Sequence, residues 1–327
     1  MPDGVTEPIV EVHLTPPELR AALRRDVAAG LSSSPKELPP KYFYDARGCD
    51  LFDDITRLAE YYPTRCERSI LTERAAEIAR LSAADTLVEL GSGTSEKTRL
   101  LLDALAAEGR LRRIVAFDVS EPTLRSAADT LAHAYPQAEV RAVVGDFEHH
   151  LGAIPRGGRR LVAFLGGTIG NLAPKQRALF LSEVASLMAP GDGLLLGTDL
   201  VKDVARLEAA YDDAAGVTAE FNRNVLHVVN RELGADFVPE RFTHVARFDP
   251  DEEWIEMWLR SSKAQEVTVA DLGMTVGYGR GEAMRTEISA KFRRSGVEAE
   301  LGDADLALAR WWTDRDGDFA VSLSFKE

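Results

Sequence analysis

Between residue 66 and about residue 200, apolar positions follow two alternating rhythms. Short continuous apolar runs fall at 85–90, 112–118, 140–146, 159–167 and 193–200. The segments between them place apolar residues three and four apart, as in CERSILTERAAEIARL, where Ile70, Leu71, Ile78 and Leu81 share a stripe. TSEKTRLLLDALAAEG (94–109, ending at Gly109), SEPTLRSAADTLAHAY and PKQRALFLSEVASLMAPG read the same way. The first pattern predicts strands buried on both faces, and the second predicts the helices that cover them. Strands alternating with helices of this length predict an α/β fold with a doubly wound, parallel sheet.

Outside this stretch the rhythm changes. TPPELRAALRRDVAAG predicts a helix capped by Thr15, with prolines in its first turn. Leu19, Leu23 and Val27 lie on one face and Gly30 is expected to stop it. A Ser/Pro-rich connector follows at Ser32–Lys41. Four of the chain's seven tyrosines, Tyr42, Tyr44, Tyr61 and Tyr62, come next. Residues 202–233 predict one or two helices. RFTHVARF, EEWIEMWLR, EVTV and MRTEISAKF predict antiparallel strands, and 307–325 a hairpin across DRDGD. In MRTEISAKF, strict alternation would put Arg285, Glu287, Ser289 and Lys291 on one face. Two domains are expected: 65–201 with 291–327, and 13–64 with 202–290. Residues 1–12 are expected to be mobile.

Composition narrows the partners. Thirty-nine basic against 53 acidic residues give a net charge of −14, which disfavours nucleic acid and anionic membrane surfaces. Cys49 and Cys66 form no C-x-x-C pair, and the six histidines show no metal-ligand spacing. DRDGD lacks the glycine position and terminal glutamate of a calcium loop. No run is long and apolar enough to span a bilayer, and the N-terminus lacks a secretory pattern. The expectation is a reduced, cytoplasmic, monomeric protein without a metal.

The chemistry clusters at the C-terminal ends of the parallel strands, where open α/β sheets bind ligands. VELGSGTSEKT carries a strand into a helix through Gly91 and Gly93. Those glycines permit a tight turn and close backbone approach to a ligand, or simply turn the chain. The third glycine of a dinucleotide fingerprint is replaced by Glu96. Glu89 would repel a pyrophosphate but suits a cationic cofactor bearing an amino group. Asp118, ending the second strand, can accept both ribose hydroxyls or cap a helix. Asp146 can meet an adenine edge and Phe147 form an apolar wall, or the pair can be a turn. GGTIGN exposes backbone at Gly166 and Gly167 and offers Asn171 as donor and acceptor. For the polar residues of MRTEISAKF and for Tyr211, the residues alone favour a solvated surface.

PPKYFYDARGCDLFDDITRLAEYYPTR, LVELGSGTSEKTR, FLGGTIGNL, LLGTDLVKD, YDDAAGVTAEFNRNVL and TEISAKF resemble the histidine-specific Nα-methyltransferases of ergothioneine biosynthesis. The resemblance runs from about residue 15 to the C-terminus. It implies a Rossmann-like class I methyltransferase fold with a C-terminal antiparallel hairpin, plus a smaller α+β substrate-binding domain. It also implies trimethylation of the α-amine of L-histidine to hercynine, with S-adenosylmethionine as methyl donor. Carried over, Tyr44, Gly91, Lys97, Asp118, Asp146 and Phe147 would hold the cofactor. Tyr61, Gly166, Asn171, Tyr211, Met257, Glu287 and Ser289 would hold histidine. Asn171 and Tyr211 would take its carboxylate. Glu287, Ser289 and Tyr61 would take the imidazole, and the Gly166 backbone would lie near the amine. No dedicated catalytic base is implied; Tyr44, Gly166 and Asn171 would act by positioning. Three rivals stay open: a nicotinamide-dependent dehydrogenase, a methyltransferase for another small amine or amino acid, and a non-catalytic adenosylmethionine-binding module.

Overall fold

A computed structural model describes residues 7–93, 95 and 97–327. Thr94 and Glu96, and the expected mobility of 1–6, lie outside the described residues. In chain order the elements are β1 (Ile9–Val12), α1 (Pro16–Ser32), β2 (Lys36–Glu37), α2 (Ala46–Arg57), α3 (Pro63–Ser82), β3 (Thr86–Leu90), α4 (Arg99–Ala107) and β4 (Arg113–Asp118). Then come α5 (Glu121–Ala134), β5 (Glu139–Val144), β6 (Arg160–Phe164), α6 (Pro174–Leu187), β7 (Gly193–Asp199), α7 (Val204–Tyr211) and α8 (Val217–Leu233). The chain ends with β8 (Phe242–Asp249), β9 (Trp254–Ser261), β10 (Gln265–Val269), β11 (Met274–Tyr278), β12 (Ala283–Ala290), α9 (Arg294–Asp303), β13 (Leu306–Thr313) and β14 (Phe319–Lys326). No helix among the described residues is long and apolar enough to cross a membrane.

Two compact units emerge, one of residues 1–14, 63–201 and 292–327, the other of 15–62 and 202–291. The first is built on an eight-stranded sheet of order β1-β5-β4-β3-β6-β7-β14-β13. Its strands from β1 to β7 run parallel, and β14 enters antiparallel beside β7 with β13 antiparallel outside it. Every residue of β3, β6 and β7 is buried, which is why their sequences read as mainly apolar runs without polar alternation. The order reverses direction at β3, flanked by β4 on one side and β6 on the other. That reversal opens a crevice at the carboxyl ends of the strands.

The structure corrects the reading of the N-terminus. Ile9–Val12 are not mobile but form an edge strand in register with Arg141–Val144. Four residues, one of them Glu11, give too little pattern to read as a strand. Its backbone pairing with β5, and the Arg141–Glu11 contact at 3.0 Å, supply what the pattern lacks. The helix expected at 94–109 begins only at Arg99. The preceding loop turns its Ser95 and Thr98 hydroxyls inward to Glu89 instead of capping the helix.

The second unit holds a four-stranded sheet, β2-β12-β9-β8, and a separate β10–β11 hairpin. The helix α8 buries Phe221, Val225, Leu226, Val229 and Leu233 in this unit, whose sheet buries Phe242, Met257, Leu259 and Met284. Gly30 does not stop α1, which runs to Ser32. It is there because a Cβ would stand 2.1 Å from the Glu37 carbonyl oxygen. Leu19, expected on the buried face, is exposed, while Leu23 and Val27 are buried.

Candidate active site

In the first unit, β3 delivers its chain into a turn with φ of +69° at Gly91 and +48° at Gly93. A Cβ built on either glycine would meet nothing within 4 Å, so open space lies over this turn. The turn is fixed from below: Gly91 and Ser92 donate to the Phe117 carbonyl at 2.9 and 3.1 Å. Asp118 braces it from the side, accepting from Gly93 N at 2.9 Å through Oδ2 and from Ser120 N at 3.0 Å through Oδ1. The cap position of α5 belongs to Ser120, so Asp118 is not spent on capping. Burial raises the Asp118 pKa against the pull of these backbone N–H groups.

Glu89 lies on β3, buried, with Ser95 Oγ donating to it at 2.9 Å and Thr98 Oγ1 donating to its other oxygen. Burial pushes its carboxyl up to about 7, against the pull of the two hydroxyls and Lys97. Beyond β5, the Asp146 Oδ1 accepts from Glu148 N at 2.8 Å. The Phe147 ring stands edge-on to Phe164 and Phe180 at 5.8 and 5.7 Å. Past β6, Gly166 and Gly167 lead into a single 3-10 turn, Thr168–Asn171, that ends on Asn171.

One residue here was not anticipated. Glu67 on α3 is completely buried. It accepts from Gly166 N at 2.7 Å and from the Lys97 ammonium. The signal was legible: Glu67 stands three and four residues before Ile70 and Leu71, an acid on an apolar stripe. A carboxylate there needs a cationic partner in the fold.

The second unit assembles a different cluster. Tyr211, the last residue of α7, places its hydroxyl 2.7 Å from Ser289 Oγ. The Tyr61 and Tyr211 rings meet edge-to-face at 6.2 Å, and Tyr61 also meets Phe52 at 6.2 Å. Tyr44 packs on Phe52 and Phe221 at 5.6 and 5.5 Å. Removal from water, then the Glu287 charge, holds its phenol well above the ordinary value and therefore neutral. Met257 stands directly opposite Glu287 across the β9–β12 ladder.

Strict alternation in β12 is overturned. The register slips between Arg285 and Glu287, so Arg285 pairs with Trp258 while Glu287 pairs with Met257. Arg285 therefore takes the opposite face, where its guanidinium reaches Glu256 at 3.4 Å and Glu37 at 2.9 Å. Glu287 and Ser289 remain together. Lys291, buried, joins them: its ammonium donates to Tyr211 Oη at 3.0 Å and Ser289 Oγ at 2.9 Å. Its N–H bonds the Glu253 carbonyl at 2.7 Å, whereas Phe292 N bonds Asp199 of the first unit. The division falls between those two residues.

The first unit's residues suit a nucleoside with a charged amino-acid tail. Open space lies over the glycine turn, Asp118 stands at its side, and Phe147 presents an aromatic ring beyond β5. Glu89 and Lys97 add one acid, held by the Ser95 and Thr98 hydroxyls, and one cation, held by Glu67. A doubly wound sheet with a reversed strand beside β7, and this constellation at its switch point, define a class I methyltransferase. The methyl donor is S-adenosylmethionine. The chain belongs to the histidine-specific, S-adenosylmethionine-dependent methyltransferases, whose family pattern matches residues 23–326.

Two close relatives are both named histidine N-alpha-methyltransferase. That of Mycolicibacterium smegmatis is 62% identical over 305 residues, 93% of this chain and 95% of the relative. That of Mycobacterium tuberculosis is 60% identical over 314 residues, 96% and 98% of the two chains. The ergothioneine biosynthesis protein 1 of Schizosaccharomyces pombe is 32% identical over 272 residues, covering 80% of this chain but 34% of that longer protein.

Proposed function

We propose that this enzyme transfers three methyl groups from S-adenosylmethionine to the α-nitrogen of L-histidine, giving hercynine as the first step of ergothioneine biosynthesis. The observation that carries the reading is the convergence of Glu287, Met257, Ser289, Tyr211 and Tyr61 in the second unit. An acid, the Ser289 and Tyr61 hydroxyls and an apolar wall suit an imidazole whose N–H must be matched, and the Tyr211 hydroxyl is left for the carboxylate. The names of the mycobacterial relatives support the substrate and the position of methylation. The name of the fission-yeast relative supports the pathway.

In this reading the first unit holds the methyl donor. Gly91 gives backbone access, Asp118 takes the ribose, Asp146 and Phe147 take the adenine, and Lys97 takes the carboxylate. Tyr44 adds an aromatic face that tolerates a growing ammonium. The second unit recognises the substrate: Glu287, Ser289 and Tyr61 take the imidazole, beside Met257, and Tyr211 takes the carboxylate. Asn171 also takes the carboxylate, and the Gly166 backbone lies near the amine.

S-adenosylmethionine, when bound, supplies a methyl carbon made electrophilic by its sulfonium. In each transfer the amine lone pair forms an N–C bond as the C–S bond breaks, and a neutral thioether leaves. The nitrogen must be unprotonated before each transfer, so a proton passes to water each time. The residues contribute alignment: holding donor and acceptor at ~3–3.5 Å supplies on the order of 7–11 kcal/mol. Mass spectrometry of products from histidine and S-adenosylmethionine tests the reading. Trimethylhistidine is expected; histidine left unmethylated, with another amine methylated instead, would overturn it.

A further inference from the structure

The slip in β12 has a built support. Opposite Met257 the strand carries two residues, Thr286 and Glu287. An extra residue of this kind bends a strand and re-aims the side chain that follows it. Without it Glu287 would fall on the face that Arg285 occupies, away from Met257, because side chains alternate with a period of two.

Thr286 is 1% exposed. Its hydroxyl shares one proton between Asn222 Oδ1 at 2.6 Å and the Met257 carbonyl at 3.0 Å. Asn222, on α8 and completely buried, donates its amide N–H groups to His244 Nδ1 at 2.8 Å and the Trp258 carbonyl at 3.2 Å. His244, on β8 and also buried, donates Nε2–H to the Tyr211 carbonyl at 2.8 Å. Burial lowers the His244 pKa, which keeps the ring in the neutral form these partners require. Each donor is matched to an acceptor, and a buried network so matched selects a single arrangement. One end fixes the bulge before Glu287; the other fixes the backbone of Tyr211.

We propose that Thr286, Asn222 and His244 form a positioning relay that sets substrate specificity by aiming Glu287 and Tyr211. None of the three is assigned a contact with substrate. The inference rests on the reading that Glu287 grips the imidazole.

The test is Thr286→Val, which keeps the shape and β-branching but strips the hydroxyl, with Asn222→Asp as a second variant lacking the amide donors. Histidine affinity, adenosylhomocysteine affinity, kcat and KM are measured for each, with a ring-N-methylated histidine as competitor substrate. Loss of a matched buried hydrogen bond predicts a rise in histidine KM of ~10-fold or more. The kcat should change far less, and adenosylhomocysteine affinity should stay within ~2-fold. Discrimination against the methylated ring should shrink by a factor similar to the KM rise, and Thr286→Ser should restore it. Unchanged histidine KM and discrimination in folded variants, equal losses of both ligands, or failure of both variants to fold would overturn the relay. Glu287→Ala separates the two levels. If it binds histidine normally, the reading of Glu287 fails with the relay. If it binds weakly while Thr286→Val is normal, the relay alone fails.

Discussion

Glu89 is a carboxylic acid in the middle of a buried strand, and replacing it with Gln should change how stability depends on pH. Burial carries its pKa from 4.5 to about 7, while the hydroxyls of Thr98 and Ser95 and the charge of Lys97 resist and that of Asp118 adds to the rise. Below pH 4.5 the group is protonated in both folded and unfolded chains and contributes nothing. Between 4.5 and about 7 the folded protein keeps a proton that the unfolded chain has released, so stability falls as pH rises. Above about 7 the full penalty is present, about 3 kcal/mol for a displacement of that size. Glu89→Gln keeps the volume and leaves both hydroxyls a partner, but does not titrate. The variant should match the wild type near pH 4.5 and become more stable by about 3 kcal/mol near pH 8. Calorimetric melting of both proteins without ligand, from pH 5 to 8, reads this out; the gap should widen steadily with pH. Two melting curves that run parallel across that range would refute the reasoning. On the proposed reading, an ammonium tail beside an ionised Glu89 would offset the penalty when ligand is bound. Adenosylhomocysteine should therefore bind the wild type more tightly as pH passes about 7, and bind Glu89→Gln more weakly and without that rise.

Three further substitutions test the two clusters separately. Glu287→Ala should lower histidine affinity by ~10–100-fold, the loss of a charged hydrogen bond, while adenosylhomocysteine binding measured by calorimetry stays unchanged. Asn171→Ala should raise the histidine KM through lost carboxylate anchoring; unchanged steady-state kinetics would count against that role. Glu67→Gln keeps an acceptor for Gly166 N but faces Lys97 with an amide, so adenosylhomocysteine affinity and melting temperature should both fall. With Lys97 partly solvated, about 1–3 kcal/mol is expected. In a Lys97→Met background the same change should cost much less, and equal costs in the two backgrounds would show that Glu67 does not act through Lys97.

The parallel sheet was readable because its strands are buried on both faces, so LVAFL or GLLLG carries its own assignment. The loops at the strand ends were readable too, since Gly91, Asp118, Asp146 and Gly166 follow directly from where those strands stop. The bulge at Thr286 left no mark in MRTEISAKF, because a register slip belongs to the pairing of two strands and not to either alone. Lys291 looked like one more polar residue on an exposed face, and only the approach of Tyr211 from α7 makes it part of a buried cluster.

Sequence by itself therefore determined the layered α/β architecture and the residues at the strand ends, because burial pattern and backbone turns are local properties of the chain. Tertiary structure alone decided which side Glu287 faces, and that Asn222, His244 and Lys291 stand behind the second unit's cluster. Those outcomes depend on hydrogen-bond partners scores of residues away, whose meeting no local pattern encodes.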